Sequence, residues 1–238
     1  MELADLEAYF VDIGGQFISS SFTMREKLPS IKALVFDWDG VFNDGSKGAN
    51  ANSNFSDVDA MGVSLMRYGI YRSTGAHLKV AIICGDQNPS ALAWAKRDHI
   101  NAVYENCKNK EMAFLHFCDN ANLSPGEVAY FYDDVLDLPI AAKAGLRFAV
   151  GRLANPLFLK YVEHHHLADY ISAAQGNEHA VREFSELFTA LLNQQFEAVA
   201  SRAAFDETYQ RFAQQCSTTS LEQWAEKNGS LQQINPST

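Results

Sequence analysis

Two aspartates placed two residues apart, Asp37 and Asp39, are the clearest candidates for chemistry in this sequence. They follow a short apolar run over residues 31–36 that is typical of a buried strand, and Gly40 comes directly behind them. Side chains two positions apart on an extended chain point the same way, so both carboxylates can face one small volume. Ligands of open α/β sheets bind beyond the carboxyl ends of the strands. An ordinary acidic turn would give the same pattern, because Asp and Gly are common turn residues.

Polar groups also follow two later apolar runs of the sequence. The first group is Cys84 and Gly85, and the second consists of Asp133, Asp134 and Asp137. If the runs are parallel strands of one sheet, these groups share an edge with the first two aspartates. Carboxylates crowded at one edge repel each other unless a cation lies among them, and their hard oxygens suit Mg²⁺. The sequence therefore predicts a magnesium site at that edge.

A single lysine, Lys110, opens a predicted helix over residues 109–119, just before the acidic strand. From that position its ammonium could reach the carboxylates. A lysine is more often a solvated surface group, however, and the residue pattern alone leaves both interpretations open.

Strand-like and helix-like segments alternate through the middle of the chain. Six short apolar runs predict strands, at residues 31–36, 80–84, 102–104, 128–132, 147–150 and 170–171. Segments with helical spacing lie between them. This alternation predicts an α/β fold, with a doubly wound parallel sheet and helices on both faces.

The segments around this core carry weaker patterns. Residues 43–54 are rich in glycine and asparagine, which predicts a hairpin or flap and no large cap domain. Residues 1–30 predict a helical N-terminal extension, and residues 31–190 the main domain. Residues 191–238 predict a C-terminal extension, in which apolar positions up to Phe212 continue one long amphipathic helix. From Ser217 onward the polar composition predicts a frayed tail.

Composition excludes several classes of protein. The chain has 238 residues, 47% of them hydrophobic, and a net charge of -10, so one sizeable core is expected and nucleic acid is an unsuitable partner. No apolar run reaches the roughly 18 residues of a membrane span, and the first residues lack the basic start of a signal peptide. The four cysteines form no Cys-x-x-Cys pair, which fits a reducing, cytoplasmic location.

Four motifs together resemble one known family. DWDGV, ICGD, NK at 109–110 and YDDVLDLP at 132–139, in this order and spacing, resemble the haloacid dehalogenase superfamily of aspartate-nucleophile phosphatases. Within it the chain is similar to the capless branch typified by 3-deoxy-D-manno-octulosonate 8-phosphate phosphatase. The resemblance covers about residues 31–190 and implies a Rossmann-like core with Mg²⁺ as cofactor.

The resemblance also implies a role for each matching residue. Asp37 would attack phosphorus and form an aspartyl-phosphate, while Asp39 would act as general acid and then as general base. Lys110 would hold the nucleophile and balance the phosphoryl charge. Asp133 would complete the Mg²⁺ site together with Asp37 and the main-chain carbonyl of Asp39. Two further acids would orient these groups from behind: Asp134 and Asp137.

The chain departs from the family pattern at two positions near the site. Cys84 stands where a serine or threonine binds the phosphoryl group, and a thiol is a weak donor, although the Gly85 amide is still available. Tyr132 stands where glycine is usual, which predicts a bulky ring near the site. These departures favour one alternative, a degenerate relative that binds a phosphorylated ligand or a protein partner without turnover.

The main hypothesis is a magnesium-dependent phosphomonoester hydrolase for a small phosphorylated metabolite, a sugar or sugar acid. A third hypothesis, a dehalogenase that uses Asp37 on carbon, is disfavoured by Asp39, because a halide leaving group needs no proton. Relatives in this branch form tetramers, and the apolar faces of residues 3–13 and 181–212 exceed the needs of one small domain. A homo-oligomer, by resemblance a tetramer, is therefore expected.

Overall fold

A mostly parallel sheet forms the centre of the protein in the computed structural model, which describes residues 2–48 and 52–234. Its order is β1-β7-β6-β5-β2-β3-β4-β8-β9, and the pairs from β7 through β8 are parallel. The strands are β1 (Gln16–Phe17), β2 (Ala33–Phe36), β3 (Lys79–Ile83), β4 (Ala102–Glu105), β5 (Val128–Tyr132), β6 (Leu146–Ala149), β7 (Tyr170–Ile171), β8 (Glu222–Lys227) and β9 (Ser230–Gln233).

Helices connect these strands and begin at capping residues that the sequence provides. Asn88 accepts hydrogen bonds from the main-chain amides of Ser90 and Ala91, and Asn109 accepts one from Met112. The helices are α1 (Leu3–Asp12), α2 (Ser21–Lys27), α3 (Asp57–Thr74), α4 (Pro89–Arg97), α5 (Lys110–Ala121), α6 (Leu138–Ala141), α7 (Pro156–His164), α8 (Ala180–Leu191), α9 (Gln195–Ala204) and α10 (Glu207–Cys216).

The two faces of the sheet each carry a hydrophobic core, as the doubly wound prediction requires. Alternate residues of the buried strand β2 belong to different cores. Phe36 belongs to the core that contains residues of α3, α4 and α8, whereas Val35 belongs to the core that contains residues of α5, α6 and α7. The predicted α/β fold with helices on both faces is confirmed. Two short strands at the edges, β1 and β9, run antiparallel to their neighbours.

The prediction of one long helix through Phe212 was wrong. Asn193 and Phe205 adopt left-handed backbone conformations, with φ of 55° and 49°, and these two residues divide the segment into α8, α9 and α10. Apolar residues recur at helical spacing on both sides of the breaks, so periodicity alone could not reveal them. The break lets α10 fold back so that Tyr209 and Phe212 pack against Tyr68 of α3.

The predicted frayed tail from Ser217 was also wrong, because β8 and β9 form a hairpin that extends the sheet. Asn228 and Gly229 between them have φ of 53° and 76°, which is the geometry of a tight hairpin turn. β8 pairs in parallel with β4, and the ring of Trp224 stacks on Tyr104. One face of this edge hairpin is exposed, so its sequence is too polar to resemble the buried strands.

The predicted flap, residues 43–54, lies between β2 and α3 and begins seven residues after β2 ends. Residues 43–48 and 52–54 contain neither strand nor helix, and residues 49–51, which also belong to the predicted flap, lie outside the described residues. At the N-terminus, α1 is close to the prediction, whereas β1 and α2 were not predicted. No helix in the described part of the chain combines the length and apolar character required to cross a membrane.

Candidate active site

The carboxyl ends of β5, β2 and β3 lie side by side and form the floor of a cavity of about 540 Å³. Asp133 follows β5, Asp37 follows β2 and Gly85 follows β3, and all three residues line the cavity. The predicted meeting of polar groups at one sheet edge is therefore confirmed. Parallel pairing of the three strands is its cause.

Lys110 lies among these acids and is not a surface lysine. It begins α5, its side chain is 5% exposed, and its Nζ is 2.7 Å from both Asp37 Oδ1 and Asp137 Oδ1. Tyr130 Oη also donates to Asp137 Oδ1, at 2.6 Å. Burial alone would lower the pKa of the Lys110 ammonium, but attraction to the two carboxylates raises it above its ordinary value. Lys110 therefore stays charged and fixes the orientation of Asp37.

Three buried carboxylates come close enough to hold one cation. Oxygens of Asp37, Asp133 and Asp137 lie within 4.8 Å of one another. Burial, followed by repulsion from Asp137, raises the pKa of Asp37 well above its ordinary value and that of Asp133 to about 6. The local positive charge is thus too small for this many carboxylates. A donor set of hard oxygens that lacks positive charge fits a divalent cation such as Mg²⁺.

Asp133 is also bound from the rim of the cavity by Arg152. The guanidinium of Arg152, three residues beyond the last residue of β6, donates to Asp133 Oδ2 at 2.7 Å. Gly40 passes directly over the same carboxylate, with φ of 88°, and a Cβ at this position would lie 1.9 Å from Asp133 Oδ2. The glycine behind the two aspartates is therefore required both for its backbone conformation and for the close approach of the chain.

Asp39 faces the same cavity but belongs to a different set of contacts. Its Oδ1 accepts a hydrogen bond from Ser53 Oγ, and its Oδ2 lies 2.9 Å from Lys47 Nζ of the flap. Between the two aspartates, the ring of Trp38 points the other way and is fully buried against Phe42. The alternation of side chains predicted for this stretch is confirmed.

Ser53 connects Asp39 to the core of the protein. Its Oγ accepts from Asn88 Nδ2 at 2.6 Å and from Trp38 Nε1 at 3.0 Å, and it donates to Asp39. Asn88 is the residue that caps α4. Because the two donors fix the lone pairs of Ser53, its proton is directed at Asp39.

The remaining predicted site residues lie at different depths. Gly85 lines the cavity, but Cys84 is 1% exposed and packs within the hydrophobic core, where burial raises the pKa of its thiol. Asp134 is exposed and accepts from the amide of Val135, so it caps a short turn. Asp137 is buried and binds Lys110, and its predicted role in orienting the metal-binding groups stays a prediction.

The predicted bulky ring near the site was wrong. Tyr132 points to the opposite face of β5, where it is fully buried, stacks on Tyr130 and donates to the main-chain oxygen of Leu167. Side chains of a strand alternate between faces, so the residue immediately before Asp133 points away from the cavity.

Reasoning from the sequence missed the residues that bind the predicted aspartates from outside. Arg152 could have been found, because it follows β6, whose carboxyl end lies at the same sheet edge. Lys47 is the one cation in the polar stretch 43–54, which is a weaker signal. Ser53 had no distinguishing signal, since nothing in its neighbourhood separates it from a solvated loop serine.

Comparison with known proteins identifies similar chains, although no protein-family model matches. A 3-deoxy-D-manno-octulosonate 8-phosphate phosphatase from Escherichia coli is 32% identical over 167 residues, which are 70% of this chain and 84% of the relative. A solved structure from Legionella pneumophila, described as a subfamily III A hydrolase of the haloacid dehalogenase superfamily, is 28% identical. Its TM-score is 0.63, and the match covers 77% of this chain and 95% of that one.

A second solved structure bears on the metal. The cobalt-bound form of the 3-deoxy-D-manno-octulosonate 8-phosphate phosphatase of Haemophilus influenzae is 25% identical, with a TM-score of 0.60. The match covers 71% of this chain and 93% of that one. These two neighbours share the fold of this chain over 77% and 71% of its length.

Proposed function

This chain belongs to the 3-deoxy-D-manno-octulosonate 8-phosphate phosphatase family of the haloacid dehalogenase superfamily, and from that premise we propose that it is a phosphatase. Its substrate is a small phosphorylated metabolite, a sugar or sugar-acid phosphate, and the reaction passes through an aspartyl-phosphate on Asp37. The observation that carries this proposal is the placement of Asp37 between the buried ammonium of Lys110 and the carboxylate of Asp133.

In the first half of the reaction, a carboxylate oxygen of Asp37 attacks phosphorus in line with the ester oxygen. The P–O bond to the leaving group breaks, and Asp39 donates its proton to the departing alkoxide. Lys110 and the main-chain amide of Gly85 bind phosphoryl oxygens as negative charge develops on them. The hydrogen bond from Ser53 keeps the Asp39 carboxyl turned toward the cavity.

In the second half, a water molecule attacks the phosphorus of the aspartyl-phosphate. Asp39, now a carboxylate, accepts the proton of that water, and the bond between phosphorus and Asp37 breaks. Inorganic phosphate leaves and Asp37 regains its carboxylate. A single residue can serve as acid and then as base because the leaving group and the water occupy the same side of phosphorus.

A magnesium ion fits the carboxylate cluster. Asp37, Asp133 and the main-chain carbonyl of Asp39 would hold it, and Asp137 would keep its place between Lys110 and Tyr130. When bound, Mg²⁺ supplies positive charge that draws the phosphoryl group to Asp37 and offsets its developing charge. The Haemophilus relative was solved in a cobalt-bound form, which supports metal binding by this chain as well.

The rim of the cavity fits an anionic substrate despite the net charge of the chain. Lys47, Lys108 and Arg152 line it, and Asp86 pairs with both lysines, at 2.6 Å and 3.2 Å. Because each of these cations is paired with an aspartate, a phosphorylated sugar or sugar acid would need Mg²⁺ as well as these donors to offset the acids of the cavity. Three cations on the rim of one cavity do not amount to the basic surface over several phosphates that nucleic acid binding would need.

The decisive experiment measures phosphate release from a panel of sugar and sugar-acid phosphates, with Mg²⁺ and with EDTA. We expect Mg²⁺-dependent turnover that Asp37→Asn abolishes, because an amide cannot form the phospho-intermediate. Asp39→Asn should slow turnover by roughly 10²- to 10⁴-fold. Asp119→Asn, at an exposed position of α5, is the matched control and should behave like the wild type.

A different result would favour the degenerate binder. If the wild type releases no phosphate from any compound of the panel, yet binds one of them in calorimetry, the phosphatase proposal fails. Turnover that survives Asp37→Asn would instead exclude the covalent mechanism.

A further inference from the structure

The strand β8 of the C-terminal hairpin lies beyond every motif of the family resemblance, yet it contacts both sides of the proposed active site. Its side chains alternate between the two faces of the sheet. Gln223 lies opposite Val103 of β4, which belongs to the core that contains residues of α4. Glu226 lies on the other face, toward the start of α5. One strand therefore reaches the helix that Asn88 caps and the helix that begins with Lys110.

Gln223 contacts a buried carboxylate that the proposed reaction does not use. Glu105, the last residue of β4, is buried, and its Oε2 accepts a hydrogen bond from Gln223 Nε2 at 2.7 Å. The other oxygen, Oε1, accepts from the main-chain amide of Asn88 at 3.3 Å. A buried acceptor needs its donors, so Gln223 holds Glu105 in the position in which it binds Asn88.

The hydrogen bonds of Asn88 continue to Asp39. Its side-chain Nδ2 donates to Ser53 Oγ at 2.6 Å, and the hydroxyl of Ser53 donates to Asp39. Both Asn88 and Ser53 are buried. Because Glu105 fixes the main chain of Asn88, it also fixes the point from which the Asn88 side chain reaches Ser53. The orientation of the general acid thus depends on β8.

Glu226 acts on the other side of the site. Its Oε2 accepts a hydrogen bond from the main-chain amide of Asn109 at 3.0 Å, and Asn109 caps α5 by accepting from the amide of Met112. A carboxylate at this end of a helix is also favoured by the helix dipole. Lys110 is the first residue of α5 and places its Nζ 2.7 Å from Asp37 Oδ1. Glu226 therefore holds the segment from which Lys110 extends.

We propose that Gln223 and Glu226 are positioning residues of the active site, Gln223 for Asp39 and Glu226 for Lys110. The inference rests on the proposed function, because Asp39 and Lys110 have their roles in that reaction. Both groups act on protons or charge that move in the transition state. Loss of either contact with β8 therefore lowers kcat and leaves KM nearly unchanged.

The test measures kcat and KM of the full chain on the best substrate of the panel, with Mg²⁺. Gln223→Glu keeps the size of the side chain but removes the donor to Glu105. Glu226→Ala removes the acceptor of the amide at the start of α5, whereas Glu226→Gln keeps an acceptor oxygen. Glu222→Ala is the matched control, because Glu222 lies on the same face of β8 as Glu226 but is exposed and accepts from Trp224 of its own strand.

We expect Gln223→Glu to lower kcat about tenfold and Glu226→Ala about threefold, since the bond of Glu226 lies close to solvent. Glu226→Gln and Glu222→Ala should retain the kcat of the wild type. In a Ser53→Ala background, Gln223→Glu should cause no further loss, because its effect passes through Ser53. Circular dichroism establishes that each variant is folded, and Gln223→Ala, which also removes the donor, takes the place of Gln223→Glu if that variant is not.

A second readout needs no turnover. Burial and two carboxylate partners slow the exchange of the Lys110 ammonium protons with water, so we expect a ¹⁵N NMR resonance that Lys110→Met removes. Glu226→Ala should shift or broaden this resonance, whereas Glu226→Gln and Glu222→Ala should leave it unchanged. The side-chain amide resonance of Asn88 reports on Gln223→Glu in the same way. If the wild type releases no phosphate, the proposed function fails, and these resonances still decide the role of β8.

Two results would overturn the proposal. One is a wild-type kcat in both Gln223→Glu and Glu226→Ala, with the Lys110 and Asn88 resonances unchanged. The other is a loss of kcat from Gln223→Glu that is as large in the Ser53→Ala background as in the wild type, together with equal losses in Glu226→Ala and Glu222→Ala. That result would mean that β8 contributes only to general stability.

Discussion

The hydroxyl of Ser53 donates a hydrogen bond to the Asp39 carboxylate and joins this residue to the cap of α4. Ser53→Ala should therefore lower kcat by about tenfold without changing the chemistry, because Asp39 loses the contact that turns it toward the cavity. Ser46→Ala, in the exposed part of the same flap, is the control. Equal kcat values for the two variants would contradict a positioning role for Ser53.

Lys110 both orients the nucleophile and compensates two buried acids. Lys110→Met should lower kcat by about 10²–10³-fold, the loss expected for one transition-state donor. It should also lower the free energy of unfolding by about 3–5 kcal/mol, because Asp37 and Asp137 lose their cation, and added Mg²⁺ should restore part of that loss.

The matched control is Lys108→Met on the rim of the same cavity. Its side chain is 74% exposed and pairs with Asp86, so the loss of stability should stay below about 1 kcal/mol. Urea unfolding with and without Mg²⁺ measures both variants. Similar stability of the two would show that Lys110 contributes no net compensation of the buried acids.

Variants at position 84 test whether the lack of a serine or threonine hydroxyl at this position limits the rate of phosphate release. Cys84→Thr places an O–H donor at the strand end, and β-branched residues suit this backbone. We expect kcat to rise, but by less than the roughly 10²–10³-fold gain expected from a full transition-state donor. The reason is that Gly85 and Lys110 already donate hydrogen bonds to the phosphoryl group in the proposed mechanism. Cys84→Ala, which adds no donor, should give no increase. An equal rate for the threonine and alanine variants would show that position 84 is too deep in the core to reach the phosphoryl group.

Asp169 links the N-terminal extension to the sheet through hydrogen bonds and an ion pair. Its fully buried carboxylate accepts from Arg147 of β6 and Ser19, and it pairs with Lys27 of α2 at 3.3 Å. Burial alone would raise the pKa of Asp169, but Arg147, Ser19 and Lys27 hold it below its ordinary value. Asp169→Asn should therefore cost about 3–5 kcal/mol at pH 7, as for a broken buried pair.

The sign of the pH dependence follows from that direction. A lowered pKa in the folded state means that the stabilisation is present above the unfolded value of about 3.9 and is lost as the pH falls through the folded value. The difference in unfolding free energy between wild type and Asp169→Asn should thus be constant from pH 7 to about pH 5 and shrink below pH 4. A constant difference down to pH 3 in urea titrations would contradict this assignment.

The core of the fold was predictable because its strands are short apolar runs that end in polar residues. β5 and β7 were predicted with their observed bounds, and α7 likewise, since Pro156 marks its start. The convergence of Asp37 and Asp133 followed from parallel strand order alone, whereas the residue pattern left the position of Lys110 open and only the family resemblance placed it at the site. The local sequence pattern is sufficient to predict these features, because the tertiary contacts favour the same structure.

The sequence analysis did not predict the C-terminal hairpin of β8 and β9, although this hairpin contacts the helix that carries Lys110. Glu226 of β8 accepts a hydrogen bond from the amide of Asn109, at the start of the helix that presents Lys110, at 3.0 Å. The Asn228-Gly229 turn was a local signal, but the flanking strands are half-exposed and polar. Such an edge strand is defined by its pairing with β4, which no local pattern can show. The contacts of Ser53 and Lys47 depend likewise on how the flap closes over Asp39.

The last prediction concerns assembly, which the structure of one chain leaves as a prediction. Large apolar side chains are exposed on two surfaces outside the sheet core: Tyr9, Val11, Ile13 and Phe22 on the N-terminal one, and Phe196, Val199 and Phe205 on the other. Large apolar side chains exposed in such numbers are typical of interaction surfaces. We therefore expect a homo-oligomer, as the resemblance to tetrameric relatives implied.

Light scattering at micromolar concentration should give a mass of more than one chain. Val11→Glu and Phe196→Glu, each placing a charge in one of the two surfaces, should shift the mass toward that of the monomer if that surface is the interface. Leu157→Glu provides the matched control, because Leu157 is 82% exposed but lies on α7, outside both surfaces. A single monomeric peak for the wild type would refute the prediction. An oligomer unaffected by either glutamate would place the interface elsewhere on the chain.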